Sequence, residues 1–157
     1  MRTNHATVAE KLELLKNAPV CSGLNLDEIG EIASHMVLCE ADSDEVICGQ
    51  GDPGDFLYVV CHGAIDVMRE EDGTKKIIAG ILPGNLLGEI AFIDGTKRSA
   101  SAVAKTTVTL LQMSQHDYLD LMRLNPLLWG SLNLRIAREV CKRLRKTSKI
   151  LAQYLDY

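Results

Sequence analysis

Leu86–Ala104 reads LLGEIAFIDGTKRSASAVA. It runs from an apolar pair through Gly88 and Glu89 into a short helical segment, turns at Asp94-Gly95, and leaves through Arg98-Ser99-Ala100 as a small-residue strand. A carboxylate and a guanidinium thus flank one helical turn that begins with glycine. At Gly88 the backbone can approach a ligand closely, because no side chain stands in the way. The N–H groups from Glu89 to Phe92 open the turn and favour an anion, and Arg98 offers a planar fork of donors matched to two phosphate oxygens. Glu89 would repel a phosphate, so it fits the same site only as an acceptor for a hydroxyl. The alternative is that Glu89 and Arg98 pair with each other or face water.

A cyclic nucleotide, with one phosphate charge and one free ribose hydroxyl, meets all of these demands together. G-E-x-A, an arginine nine positions after the glutamate, then a small residue and alanine, resembles the phosphate-binding cassette of the cyclic-nucleotide-binding domain family. The resemblance implies that Glu89 holds the ribose 2′-hydroxyl and Arg98 the cyclic phosphate. Leu87, Gly88, Ile90, Ala91, Ser99 and Ala100 would then line the cradle. It further implies cyclic AMP or cyclic GMP as ligand, with no separate cofactor. Serine after the cassette arginine leans towards cyclic AMP, since threonine there often accompanies cyclic GMP in the family.

Upstream, Val46–Val67 reads VICGQGDPGDFLYVVCHGAIDV. Gly51-Asp52-Pro53-Gly54-Asp55 specifies a sharp turn, with glycines bracketing proline and aspartates able to bond nearby backbone N–H groups. Gly51, Asp52, Gly54, Asp55, Leu57, Tyr58 and Gly63 resemble the strand–turn–strand signature of the same family and read as turn and core. From Met36 to Met113, short runs rich in Val, Ile, Leu and Tyr alternate with Gly, Asp and Pro. Strands are expected at Met36–Glu40, Glu45–Cys48, Phe56–Cys61, Ala64–Glu70, Lys75–Leu82, Ala100–Ala104 and Thr107–Met113. Their close turns favour an antiparallel roll over a βαβ arrangement. Before them, Thr7–Asn17 predicts a helix with Val8, Leu12 and Leu15 at helical spacing. A second begins after Asn25 as N-cap, burying Ile29, Ile32 and Ala33.

Composition narrows the function classes. The 157 residues, 46% hydrophobic, predict one domain with a sizeable core, and a net charge of −4 argues against a general nucleic-acid surface. No stretch nears the ~20 apolar residues of a membrane span, and the polar N-terminus does not read as a signal peptide. The five cysteines lack CxxC spacing and read as reduced thiols in a cytoplasmic protein, too dispersed to hold an iron–sulfur cluster. His5, His35, His62 and His116 are isolated from one another, and neither a metal cluster nor a catalytic triad stands out, so the reading is non-enzymatic.

Past the roll, Ser114 caps a helix with Tyr118, Leu121 and Met122 on its apolar side, and Asn125-Pro126 starts another, expected over Leu127–Leu155. Leu132, Ile136, Val140, Leu144, Thr147, Leu151 and Tyr154 recur at three- or four-residue intervals, a seam suited to a parallel homodimer; packing on the roll alone would account for its first half. Arg135, Arg138, Lys142, Arg143, Arg145, Lys146 and Lys149 face only Glu139 on this helix, and most read as a solvated face. CKRLRKTSK, Cys141–Lys149, resembles the dimer helix of the family's bacterial catabolite activators. That resemblance implies that Arg143, Thr147 and Ser148 lie near the purine.

The expected fold is therefore α+β, mainly β. An antiparallel β-roll, or double-stranded β-helix jelly roll, would be flanked by N-terminal helices and a long C-terminal helix. Residues 1–157 would form one domain, with helices over 1–35, the roll over 36–114, its cassette at 86–104, and helices over 115–157. The expected function is a cyclic-nucleotide receptor that signals by moving the C-terminal helix towards an unidentified protein partner. With no helix-turn-helix after that helix, direct DNA binding is not expected. The alternatives are a dimeric scaffold that keeps the fold without a ligand, or the sensor part of a longer regulator or channel.

Overall fold

The computed structural model describes residues 1–155; of the segment expected over 115–157, the last two positions lie outside the described residues. The elements in chain order are β1 (Arg2–Asn4), α1 (Val8–Leu15), a 3-10 turn (Pro19–Cys21), α2 (Leu26–Ser34), β2 (Val37–Ala41), β3 (Val46–Cys48), β4 (Phe56–His62), β5 (Ile65–Glu71), β6 (Thr74–Ile81), β7 (Leu86–Leu87), α3 (Glu89–Asp94), β8 (Ser101–Ala104), β9 (Val108–Ser114), α4 (Gln115–Leu124) and α5 (Pro126–Leu155). They form two sheets, ordered β1-β2-β9-β4-β7 and β3-β8-β5-β6, with antiparallel pairing throughout. This is the β-roll with helical flanks that the strand spacing predicts.

Two apolar clusters hold it together. Inside the roll, Tyr58 and Val60 of β4 and Val108 and Leu110 of β9 meet Ile47, Ile65, Ala102 and Ala104 from the second sheet. On the other face of the same two strands, Leu57, Val59, Leu111 and Met113 pack under Leu15, Ile29, Ile32, Tyr118, Leu121, Leu128, Leu132 and Ile136. A strand covered on both faces cannot show polar–apolar alternation, which is why Phe56–Cys61 reads as a continuous apolar run.

Local signals set the helix starts. Thr7 and Asn25 form capping boxes with Glu10 and Glu28, and the Ser114 hydroxyl accepts from the Asp117 N–H. Ile29, Ile32 and Ala33 are buried, as their spacing predicts. Val8, expected on the packed side of the first helix, is 44% exposed: it is the first residue after the cap, and Leu12, Leu14 and Leu15 carry the packing. The strand Arg2–Asn4 was not expected. Its polar residues lie on the outer edge beside β2, where backbone pairing rather than side-chain burial makes the strand. The two-residue β7 was likewise hidden in the apolar start of the cassette.

The Gly49–Asp55 turn is clamped against the cassette. Asp52 bonds the Gly49 N–H at 2.7 Å, Pro53 bridges to Lys97, and a Cβ on Gly54 would lie 2.5 Å from the carbonyl of Ala91. Backbone cannot retreat from such an overlap as a side-chain tip can. Gly54→Ala is therefore expected to lower stability by about 1–3 kcal/mol, the usual cost of overpacking. Urea unfolding of the two proteins measures it; an unchanged midpoint would show that the turn and cassette are not held this closely.

Candidate functional site

Gly88 adopts the left-handed conformation, φ 79°, and ends β7 by turning the chain into α3. The same glycine leaves room for the Arg98 head, which any Cβ at position 88 would strike. Arg98 is 5% exposed. Its Nη1 donates to the Gly88 carbonyl at 2.6 Å and its Nη2 to the Phe56 carbonyl at 2.5 Å. Its own backbone is pinned by the turn: the Arg98 N–H donates to the Asp52 carbonyl and its carbonyl accepts from the Gly51 N–H, both at 2.8 Å. Among the described residues Arg98 forms no ion pair, and its Nε is buried without a hydrogen-bond partner.

The acid is held differently. Glu89 is 1% exposed, and its Oε1 accepts a charge-assisted bond from Arg143 Nη1 of α5. Arg143 Nη2 also donates to the Leu86 carbonyl at 3.2 Å. Burial pushes the Glu89 carboxyl above its ordinary range, opposed first by Arg143, then by its own backbone N–H and by Arg98. Glu89 and Arg98 therefore do not satisfy each other: the acid pairs with α5, and the guanidinium has only carbonyl oxygens.

Between them lies a cavity of about 120 Å³. Leu87, Gly88, Glu89, Ile90, Ala91, Arg98, Ser99 and Ala100 all line it, with Arg143 closing one side. Ile90 and Ala91 precede the first intrahelical bond of α3, from the Phe92 N–H to the Gly88 carbonyl at 3.2 Å, so their N–H groups are the ones a helix start leaves unpaired. Thr147 and Ser148 are not in the cavity wall. Both are exposed, and the Thr147 hydroxyl donates to the Arg143 carbonyl at 3.0 Å. The reason is geometric. The last buried residue of α5 is Ile136, and beyond it Arg143 still reaches back to the cassette while the following turn stands clear of the roll.

The opposite wall consists of Cys48, Val67, Ile81 and Ala102, residues that sequence reasoning did not select. Their only signal is an inward-facing place on β3, β5, β6 and β8, and which inward place faces the cassette depends on sheet register. The Phe56 carbonyl carries no sequence signal at all. A wider groove of about 570 Å³, lined in part by Val46, Met68, Glu70, Lys75 and Val103, has no buried charged group, so the smaller cavity is the candidate site.

Residues 38–125 match the family profile described as a cyclic nucleotide-binding domain. The chain belongs to the cyclic-nucleotide-binding domain family. It is 34% identical over 127 residues to the cyclic AMP receptor protein of Thermus thermophilus, a match covering 80% of this chain and 59% of that protein. It is 32% identical over 110 residues to a cGMP-dependent protein kinase of Toxoplasma gondii, covering 69% of this chain but 11% of the kinase. The chain thus spans less than two thirds of either relative. A crystal structure of a cyclic nucleotide-binding domain from Methylobacillus flagellatus superposes with a TM-score of 0.82 at 26% identity, covering 96% of this chain and 85% of that one. Among the described residues no helix is long and apolar enough to cross a membrane.

Burial that raises the Glu89 pKa means that the fold holds the ionised form less well than water does. The acid's contribution to stability is then fully present below its ordinary value of 4.5 and is lost as pH rises through the folded-state value. Glu89→Gln is accordingly expected to melt higher than the parent at pH 7, the two melting curves converging below pH 4.5. Circular dichroism melts across that range measure it; a variant that melts lower at pH 7 would show that the Arg143 pair outweighs burial.

Proposed function

We propose that the chain is a non-enzymatic cyclic-nucleotide receptor, with cyclic AMP preferred over cyclic GMP. The observation that carries this reading is Arg98: a guanidinium 5% exposed, at the wall of a cavity, that no acid neutralises. A buried cation without a counter-charge is strongly unfavourable unless an anion completes it. Its donors suit a cyclic phosphate, and the N–H groups of Ile90 and Ala91 add backbone donors beside it. The Glu89 carboxylate is the acceptor for the ribose 2′-hydroxyl. Ser99 and the kinship with a protein named for cyclic AMP support that preference.

Ligand pockets are roughly 300–1,000 Å³, so a cavity of about 120 Å³ holds the phosphate and part of the sugar only. The base needs the space that Arg143 and α5 now close. Binding is therefore coupled to α5: the incoming hydroxyl competes with Arg143 for Glu89, and α5 settles in a new position over the base, bringing Thr147 and Ser148 towards it. The ligand shifts an equilibrium between two helix positions through its different contacts in each. Leu144, Ile150, Leu151, Tyr154 and Leu155 are 46–80% exposed, and the seam they extend is where a second copy packs in parallel and receives that shift.

Calorimetric titration with cyclic AMP and cyclic GMP is the direct measurement. Cyclic AMP is expected to bind more tightly, and Arg98→Ala to lose about 2–5 kcal/mol of that affinity. Heat-silent titrations, or an Arg98→Ala variant that binds like the parent, would overturn the reading. For the dimer, sedimentation at micromolar concentration should show two chains for the parent and one for a Leu144→Lys, Leu151→Lys double variant.

A further inference from the structure

The receptor reading leaves one strongly charged surface without a task. Arg138, Lys142, Arg145, Lys146 and Lys149 are all exposed on α5. Among the described residues only Lys142 has an acid partner, Glu139 at 2.9 Å. At about 100° per residue the five cations fall within roughly 100° of arc. Leu144, Leu151 and Leu155, which are 55–64% exposed, project from the opposite side. Ile150, about 40° round the helix from Lys146, borders the stripe on one side, but Arg138, Lys142, Arg145 and Lys149 lie farther from the apolar residues and stay open if the seam is filled by a second copy.

We propose that this stripe docks an acidic α-helix of a partner protein. Two observations favour that occupant. Arg138, Lys142, Arg145 and Lys149 are spaced four, three and four residues apart, the interval at which two helices stay in contact along their length, and the stripe spans about 16 Å of helix axis at roughly 1.5 Å per residue. Glutamates at the same interval on a second helix meet each cation in turn. Next, the chain is net −4 although α5 carries seven cations against the single acid Glu139, so the rest of the molecule is strongly acidic. A broad polyanion such as duplex DNA or an anionic bilayer is repelled by that body, whereas a slender acidic helix contacts the stripe alone.

The proposal rests on the receptor reading for its use: Arg143, one residue from Lys142, ties the same helix to Glu89 and Leu86 of the cassette, so a ligand that moves α5 also moves the stripe. Its existence as a docking surface is tested separately. The full chain is titrated by fluorescence anisotropy with four probes: a helix-forming peptide bearing glutamates at positions i, i+4, i+7 and i+11, a peptide of the same composition with the glutamates off that interval, a short DNA duplex, and phosphatidylserine vesicles. The registered peptide is expected to bind at least about tenfold more tightly than the other three probes and to weaken as salt rises. Arg138→Glu, Arg145→Glu and Lys149→Glu together are expected to abolish that preference, while cyclic AMP titration of the same variant stays within about twofold of the parent. Equal binding of the two peptides, tighter binding of DNA or vesicles, or a variant that still takes the registered peptide would overturn the proposal. A parent protein that takes the peptide but no cyclic nucleotide would overturn the receptor reading and leave the docking surface standing.

Discussion

A positive charge buried without an ion-pair partner of its own is the constraint around which the molecule is arranged. Arg98 is held by the carbonyls of Gly88 and Phe56, and its backbone by Asp52 and Gly51. Carbonyl dipoles orient a guanidinium but do not cancel its charge, so the site stays short of one anion. Four separate pieces of chain must converge for this to happen: the end of β7, the start of β4, the Gly51–Asp55 turn and the far side of the cassette. Two of them carry a residue with little freedom to change, Gly88 because of the Arg98 head and Gly54 because of the Ala91 backbone.

The scaffold that holds this site is the pair β4 and β9, apolar on both faces. One face closes the roll and the other seats the helices. The cassette is thus suspended between two well-packed clusters, with Leu87 and Leu86 pointing into one each. Stability is concentrated in those clusters, which leaves the cavity free to carry groups chosen for binding rather than for packing.

The second electrostatic element is the link between Glu89 and Arg143. It joins the cassette to a helix that is anchored through Leu128, Leu132 and Ile136 and has no buried residue beyond them. The contact lies seven residues past Ile136, the last buried residue of the helix, so Arg143 is a tie between the cassette and a part of α5 that packing on the roll does not hold. Burial opposes the ionisation of the same acid, and Arg143 is the first of the groups that favour it.

Much of this was legible along the chain. Turn residues at fixed offsets, capping serine and asparagine, and short β-rich runs mark the roll and its helices, and the seven strands expected from them lie within about two residues of the observed ends. The cassette residues expected to line the cradle are local to one another, so their chemistry shows in their order, and all eight of them meet at one cavity. Three things lay beyond the linear pattern. The strand Arg2–Asn4 exists because a backbone edge was available, not because its side chains demanded burial. The far wall of the cavity, Cys48, Val67, Ile81 and Ala102, follows from the register of four strands. The partner of Glu89 is fifty-four residues away on α5, and no local rule selects Arg143 over the other cations of that helix. Sequence alone determined which groups are present and in what local geometry, because turns, caps and periodicity act over a few bonds. Only the tertiary structure decided which of those charges meet and which are left alone, because that depends on where packing aims a helix.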